Sequence, residues 1–132
     1  LKNNGFKIYS GGTDTHLMLV DLRPFGVKGN LASESLCRAN ITCNKNGVPF
    51  DETPPSITSG IRLGSSAATT RGLTENDFKV LGNLISDVIC GFKNNISDNE
   101  IENEVNRKII DICKKIKKFS VCYKYICKRY II

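Results

Sequence analysis

Apolar positions along the chain form short runs of strand length. The run from His16 to Leu22 (HLMLVDL) is almost continuously apolar, which predicts a central strand covered on both faces. The segment from Ile41 to Asn44 is a short β-branched stretch, and SGIRLG from Ser59 to Gly64 is a short strand between glycines. These segments predict a small sheet of about three strands.

The first helix is predicted from Asn30 to Asn40 by apolar spacings of three and four residues. Asn30 is expected to cap its free N–H groups. The face expected to point into the core comprises Leu31, Ser35, Leu36 and Ala39.

Two longer helices are predicted in the second half of the chain. Thr74 and Asp77 resemble a capping box, and helical spacing continues from there to Phe92. The last helix is expected to start near Ser97 or Asp98, with an apolar line of Ile101, Val105, Ile109, Ile112 and Ile116. The order of elements predicts a compact α/β unit, α+β-like, in which helices cover one face of a small sheet.

A connection of about fifteen residues between Asn44 and Ser59 shows no hydrophobic period, and loops of this length are usually functional or disordered. It contains Pro49, Pro54 and Pro55, three of the four prolines of the chain. Because each proline fixes one φ angle, we expect a defined path that presents backbone groups to a ligand.

Arg62 lies between Ile61 and Leu63 in the predicted strand after this loop. Side chains alternate along a strand, so Arg62 is expected to point away from its two buried neighbours. A guanidinium offers a planar, charged fork that suits a carboxylate. The alternatives are a surface arginine of the strand, or an ion pair with Asp21 or Asp51.

The positive charge is concentrated at the end of the chain. The 132 residues carry a net charge of +6, but residues 107–132 contain nine Lys or Arg and one acid, whereas residues 1–106 contain ten basic and twelve acidic residues. Nucleic-acid binding calls for a basic patch on the folded surface, so no nucleic-acid partner is predicted. The chain also lacks the roughly 18 consecutive apolar residues of a membrane helix. With no secretory h-region visible, a cytoplasmic location without membrane association is expected.

Metal binding and self-contained catalysis are not predicted. The six cysteines form no CxxC pair and His16 is the only histidine, so zinc ligation is not expected. The cysteines are interpreted as reduced thiols. No Ser/His/Asp or Cys/His set can be assembled, and no catalytic residue is assigned within this chain.

Three segments, in this order, resemble the C-terminal domain of serine hydroxymethyltransferase: SGGTDTHLMLVDLRPFGVKG, NKNGVPFDETPP and TSGIRLGSSAATTRG. The resemblance is continuous from about Ser10 to Phe92 and looser to about Lys115. It implies the small domain of a fold-type I pyridoxal-phosphate transferase over residues 1–118, followed by an atypical basic tail at 119–132.

That family interconverts serine and tetrahydrofolate with glycine and 5,10-methylenetetrahydrofolate. The resemblance therefore implies serine, glycine and tetrahydrofolate as ligands of the parent enzyme and pyridoxal 5'-phosphate as its cofactor, bound mainly outside this chain. It also implies a homodimeric or homotetrameric parent.

The resemblance assigns roles to individual residues. Arg62 occupies the position that binds the substrate carboxylate, and Asn46 the position that contacts the pterin end of folate. The folate segment of the family falls on Pro54, Pro55 and Ser56. Because the family's serine and aromatic residue are replaced here, backbone contacts rather than side-chain contacts are implied at positions 54 and 56.

Arg71 matches an arginine of the family's TTRG segment. Support of the active site is one expectation for it, and an ion pair or a loop anchor is the other.

The chain contains no segment like the THK stretch whose lysine bonds covalently to the cofactor. We therefore expect roughly the last third of such an enzyme, inactive when alone. The alternative is a non-catalytic remnant that acts only as a binding or dimerisation module.

The basic tail generates the first testable prediction. Residues after about Lys118 break the amphipathic pattern, so we expect them to pack poorly. Deleting them should change the free energy of unfolding by no more than about 0.5 kcal/mol, measured by urea titration. A loss of several kcal/mol would show that the tail belongs to the core.

Overall fold

A computed structural model of the chain describes residues 1–94 and 98–115. Its strands are β1 (Lys7–Ile8), β2 (Leu17–Asp21), β3 (Asn44–Asn46) and β4 (Gly60–Gly64), and its α-helices are α1 (Gly29–Arg38), α2 (Ser66–Arg71), α3 (Glu75–Asn94) and α4 (Asp98–Lys115). The predicted small sheet with helices is confirmed. The domain boundary expected at residue 118, the basic tail and Ile116 of the predicted apolar line lie outside the described residues.

The strands form one antiparallel sheet in the order β1-β2-β4-β3. β2 is an interior strand, as expected for HLMLVDL, and its residues Val20 and Leu19 lie opposite Ile61 and Arg62 of β4. The expectation that it is covered on both faces is wrong for the described chain. Leu17 remains 39% exposed, because the helices pack on only one face of the sheet.

The core lies between that covered face and the helices. Val20, Ile61 and Leu63 contribute from the sheet, and α3 contributes a stripe at helical spacing, namely Leu81, Leu84, Ile85, Val88 and Ile89. From α4 the core takes Val105 and Ile109, with Ile101 and Ile112 partly buried beside them. The helical spacing predicted for both segments is thus confirmed.

The capping box at the start of α3 is also confirmed. The Thr74 backbone N–H donates to Asp77 Oδ2 over 2.8 Å, and the Thr74 hydroxyl donates to the same oxygen over 2.7 Å. The Asp77 N–H in turn points to Thr74 Oγ1 at 3.4 Å. A local sequence signal therefore fixes the helix start.

Two expectations for α1 are wrong. Asn30 does not cap the helix, because the N–H groups of Gly29 and Asn30 donate to the carbonyl oxygens of Thr58 and Ile57, at 3.0 and 2.9 Å. Leu31 is 48% exposed, and Ala32 takes the buried position beside Leu36. The cap comes from a loop distant in sequence, which local propensity does not reveal.

Two further boundaries differ from the predictions. The strand expected at Ile41 to Asn44 forms three residues later, as β3, because Asn40 has a left-handed φ of 63° and Ile41 is buried directly after the helix. The segment SSAATTRG, for which no element was predicted, contains the short helix α2.

A buried carboxylate joins α1 to α4. Glu102 is 4% exposed and accepts hydrogen bonds from Ser35 Oγ at 2.6 Å and from Arg38 Nε and Nη2, both at 2.7 Å. Burial by itself raises the pKa of Glu102, but the hydrogen bonds from Arg38 and Ser35 outweigh it and lower the pKa below its ordinary value. This contact fixes α4 against the helix that borders the β3–β4 loop.

Removing Glu102 tests this contact. Glu102→Ala leaves the buried Ser35 hydroxyl without its acceptor, so we expect a loss of about 1–3 kcal/mol in the free energy of unfolding. The measurement is urea unfolding at pH 7. Glu104→Ala is the matched control, because Glu104 is exposed and pairs with Lys108 on the same helix. Equal effects of the two variants would contradict the role given to Glu102.

Candidate functional site

Arg62 projects from the middle of β4 on the face of the sheet that the helices leave open. Its neighbours Ile61 and Leu63 are buried, whereas Arg62 is exposed. Residues directly opposite each other in an antiparallel sheet point to the same face. The register therefore places Arg62 between Leu19 of β2 and Asn44 of β3. The predicted orientation of this guanidinium is confirmed.

The two acidic residues considered as ion-pair partners of Arg62 are engaged elsewhere. Asp21 is buried, and its Oδ2 pairs with Arg23 Nη2 at 2.7 Å. Asp51 accepts its hydrogen bonds within its own loop. Within residues 1–94 and 98–115, Arg62 makes no hydrogen bond or ion pair, so the proposed pairs with Asp21 and Asp51 are both wrong.

Asn46 lies on the same open face as Arg62. It is the last residue of β3 and lies opposite Gly60, two positions along from the pair formed by Asn44 and Arg62. Its Nδ2 donates to the carbonyl oxygen of Gly47 over 2.7 Å, which orients the amide. The structure therefore brings Asn46 and Arg62 together on neighbouring strands.

Pro54, Pro55 and Ser56 are exposed in the β3–β4 loop. The Pro54 carbonyl already accepts from the N–H groups of Ile57 and Thr58, at 2.9 and 3.0 Å, and the Ser56 carbonyl accepts from Lys45 Nζ at 2.5 Å. The carbonyl groups of Pro54 and Ser56, expected to contact folate, thus already accept hydrogen bonds from residues of this chain. The Ser56 hydroxyl and N–H have no hydrogen-bond partner in the described part of the chain.

Asp51 organises this loop, and sequence reasoning missed its role. Its two carboxylate oxygens accept from the N–H groups of Val48, Thr53 and Ser59 and from the hydroxyls of Thr53 and Ser59, at distances of 2.6 to 3.2 Å. The hydrogen bond from the Thr53 hydroxyl, with those from Ser59 and Val48, outweighs desolvation and holds the pKa of Asp51 well below its ordinary value. The local signal was available, since an Asp followed two residues later by Thr is typical of an Asx turn.

Arg71 is the last residue of α2, which starts just after the end of β4. Its side chain is partly buried, and the described residues offer it no hydrogen bond or ion pair. The ion pair considered for it is therefore not observed in this part of the chain.

Neither a metal centre nor a membrane span is found within the described ranges. No group of three or more His, Cys, Asp or Glu side chains there is arranged to hold a metal ion. None of the described helices has the length and apolar character needed to cross a membrane.

Comparison with known proteins identifies the family. The family model described as serine hydroxymethyltransferase matches residues 1–85, which is more than half of the chain. The chain belongs to the serine hydroxymethyltransferase family. Serine hydroxymethyltransferase of Pelagibacter ubique (strain HTCC1062) is 66% identical over 113 residues, covering 85% of this chain and 26% of that protein.

The relatives from Rickettsia extend the same finding. Serine hydroxymethyltransferase of Rickettsia rickettsii (strain Sheila Smith) is 52% identical over 109 residues, covering 83% of this chain and 26% of that protein. The protein of the same name from Rickettsia massiliae (strain Mtu5) is 50% identical over 114 residues, covering 86% of this chain and 27% of that protein.

The chain spans about a quarter of the length of the serine hydroxymethyltransferases it matches, which is less than the third expected from the sequence. The family match also begins at Leu1, earlier than the resemblance noted from Ser10. Nothing in the fold or in these relatives favours the alternative of a non-catalytic module.

The lowered carboxyl pKa values predict loss of stability in acid. Burial raises the pKa of Asp21, but the hydrogen bonds and charge of Arg23 outweigh it and lower the pKa, and the pKa values of Asp51 and Glu102 are also lowered. A folded-state pKa below the unfolded value stabilises the fold above the unfolded pKa, and this stabilisation is lost as pH falls through the folded pKa. The free energy of unfolding should therefore fall as pH drops below the ordinary values of 4.5 for Glu and 3.8 for Asp.

The measurement is urea unfolding of the 132-residue chain at pH values from 7 to 3. Asp51→Asn removes one of the carboxyl groups with a lowered pKa, so the decline in its free energy of unfolding below pH 4 should be shallower than that of the wild type. Parallel declines in the two proteins would show that Asp51 does not contribute.

Proposed function

We propose that this chain is the C-terminal part of a pyridoxal-phosphate-dependent serine hydroxymethyltransferase, where it binds the carboxylate of serine or glycine through Arg62. The observation that carries the proposal is the exposed guanidinium of Arg62, which has no partner among the described residues and projects from a strand fixed on its other face by the core. Family membership supports this reaction, and the orientation of Arg62 supports its proposed contact with the substrate carboxylate.

A carboxylate suits this position for physical reasons. Arg62 is held between Leu19 and Asn44, so the backbone beneath it is fixed by hydrogen bonds to both neighbouring strands. A guanidinium binds a carboxylate through two parallel N–H···O bonds, which fix the orientation of an amino acid as well as its charge. The half-buried Leu19 alongside reduces competition from water.

The open face fits the amino-acid substrate better than the phosphate of the cofactor. A phosphate site typically adds several free backbone N–H groups at a helix N-terminus or a glycine-rich turn. Around Arg62 the flanking positions are strand residues Leu19 and Asn44, whose backbones belong to the sheet. When bound by the parent enzyme, pyridoxal phosphate supplies the electron sink for bond cleavage at the amino-acid α-carbon.

Tetrahydrofolate is proposed to bind along the β3–β4 loop beside this site. Asn46 presents an oriented amide on the same face as Arg62, and its Oδ1 can accept from an N–H group of a pterin ring. Ser56 contributes its hydroxyl and N–H. Pro54 and Pro55 contribute exposed apolar surface, since the Pro54 carbonyl is already engaged.

The remaining assignments follow the same proposal. Arg71 supports the active site, which is consistent with its being partly buried and lacking a hydrogen-bond or ion-pair partner in the described chain. The parent acts as a homodimer or homotetramer, and the 132-residue chain alone turns over nothing, because its sequence contains no His-Lys pair for covalent attachment of the cofactor. A cytoplasmic, reducing location is also proposed, in which Cys37, Cys43 and Cys90 remain thiols.

The test is made in a chimera in which this chain replaces the 113-residue segment that it matches in the Pelagibacter ubique protein. Arg62→Ala should weaken serine and glycine binding by about 30-fold or more, because the substrate carboxylate loses a charge-assisted bidentate partner. Arg62→Lys should recover only part of this loss, since one ammonium cannot reproduce the planar fork. Binding is followed by titrating both amino acids while recording the absorbance of the bound cofactor.

Lys7→Ala is the matched control, because Lys7 is another exposed cation on the open face, opposite Asp21. The control should bind serine as the unmodified chimera does. Unaltered serine affinity in Arg62→Ala would reject the carboxylate role and leave Arg62 as an ordinary surface residue.

A further inference from the structure

Asp51 holds the β3–β4 loop together, yet no role in the proposed reaction has been assigned to it. We propose that Asp51 is a positioning residue for tetrahydrofolate, which fixes the loop so that Asn46 and Ser56 are presented in their binding arrangement. This inference rests on the proposed function, because it takes the folate site to lie along this loop.

The carboxylate of Asp51 joins the beginning of the loop to its end. Asp51 Oδ2 accepts from the Val48 N–H at 3.2 Å and from the Ser59 N–H at 2.8 Å. Val48 follows β3 by two residues, and Ser59 directly precedes β4. One oxygen atom therefore closes the loop across its base.

The other oxygen closes the turn that leads into Pro54. Asp51 Oδ1 accepts from the Thr53 N–H at 3.0 Å, the Thr53 hydroxyl at 2.6 Å and the Ser59 hydroxyl at 2.7 Å. The two hydroxyl oxygens also lie 3.0 Å apart. Because each hydroxyl has one proton and donates it to Asp51, this contact is not an additional donation, and the three side chains form a ring of polar groups around Oδ1. The position of Thr53 then determines where the segment from Pro54 to Ser56 begins.

The end of the loop is fixed to the scaffold independently of Asp51. The Leu22 N–H donates to the Ser59 carbonyl at 2.9 Å, and the first two N–H groups of α1 donate to Ile57 and Thr58. Gly60 leaves no room for a side chain, since a Cβ there would lie 2.6 Å from Val48 Cγ1 and 2.7 Å from the Val20 carbonyl oxygen. Asp51 therefore ties the first half of the loop to a second half that is already anchored.

Both oxygen atoms of the side chain at position 51 must accept hydrogen bonds, because backbone N–H groups point at each of them. The Thr53 N–H points at Oδ1, and the N–H groups of Val48 and Ser59 point at Oδ2. Asparagine has the same shape but carries an NH₂ group in place of one oxygen. In either orientation that NH₂ faces a backbone N–H, so Asp51→Asn breaks the ring without changing the volume of the side chain.

A loop that has lost these hydrogen bonds must be ordered when tetrahydrofolate binds. The conformational entropy lost in that step weakens the affinity for folate. Asp51→Asn in the chimera should raise the KM for tetrahydrofolate by about 10-fold or more, because the loop and its ligand-facing side chains must be ordered on binding. The KM for serine and the kcat at saturating folate should not change. Thr53→Val removes one hydroxyl donor while keeping the branched shape, and should raise the same KM by a smaller factor.

Glu52→Gln is the matched control. Glu52 is the adjacent exposed carboxylate and makes no hydrogen bond or ion pair to the described residues, so its variant should leave all three kinetic constants unchanged. A second readout needs no activity. In the 132-residue chain, Asp51→Asn should accelerate amide hydrogen exchange at Val48, Thr53 and Ser59, and Glu52→Gln should not.

The outcomes separate this inference from the proposed function. An unchanged folate KM in Asp51→Asn, or unchanged amide exchange, overturns the role of Asp51 even where Arg62→Ala still weakens serine binding. Equal rises in the KM for serine and for folate would show a general structural role and also overturn it. Accelerated exchange with unchanged folate KM, together with unaltered serine affinity in Arg62→Ala, would reject both.

Discussion

The carboxylate of Asp51 fixes the conformation of the connection on which the candidate site depends. Two residues of that loop, Phe50 and Thr58, have left-handed φ angles of 57° and 63°, which non-glycine residues rarely adopt. Each directly precedes a member of the Asp51 hydrogen-bond ring, Asp51 itself and Ser59. Such conformations persist where the surrounding contacts over-determine the backbone. The ring therefore stabilises a loop path that its own residues do not favour.

The sheet provides the second constraint, because its two faces are unlike. Ile61 and Leu63 are buried against the helices, so Arg62 between them must point to the open face. A slip of one residue in the pairing of β4 with β2 would bury the guanidinium and expose both aliphatic side chains. The hydrophobic core thus sets the orientation of the charged group.

The features predicted from sequence depend on local patterns, and those missed depend on distant partners. The capping box at Thr74 and the helical stripe of α3 were readable because their residues are neighbours in the chain. The cap of α1 comes from Ile57 and Thr58, and the partner of Glu102 is Arg38, 64 residues away. Propensity at Asn30 and at Glu102 gave no indication of either contact. The orientation of Arg62 followed from strand alternation, whereas the roles proposed for Arg62 and Asn46 came from the family resemblance.

Arg62 has no internal ion pair because the acidic residues considered as its partners are hydrogen-bonded to other groups. Asp21 and Asp51 were the plausible internal partners, and each is fully supplied with donors of its own: Asp21 by Arg23, and Asp51 by its loop. Because neither carboxylate needs a further donor, an ion pair with Arg62 would require breaking hydrogen bonds that already fix the site. Among the described residues, the guanidinium of Arg62 therefore has no hydrogen bond or ion pair. An anionic ligand such as an amino-acid carboxylate can bind it without first displacing an internal partner.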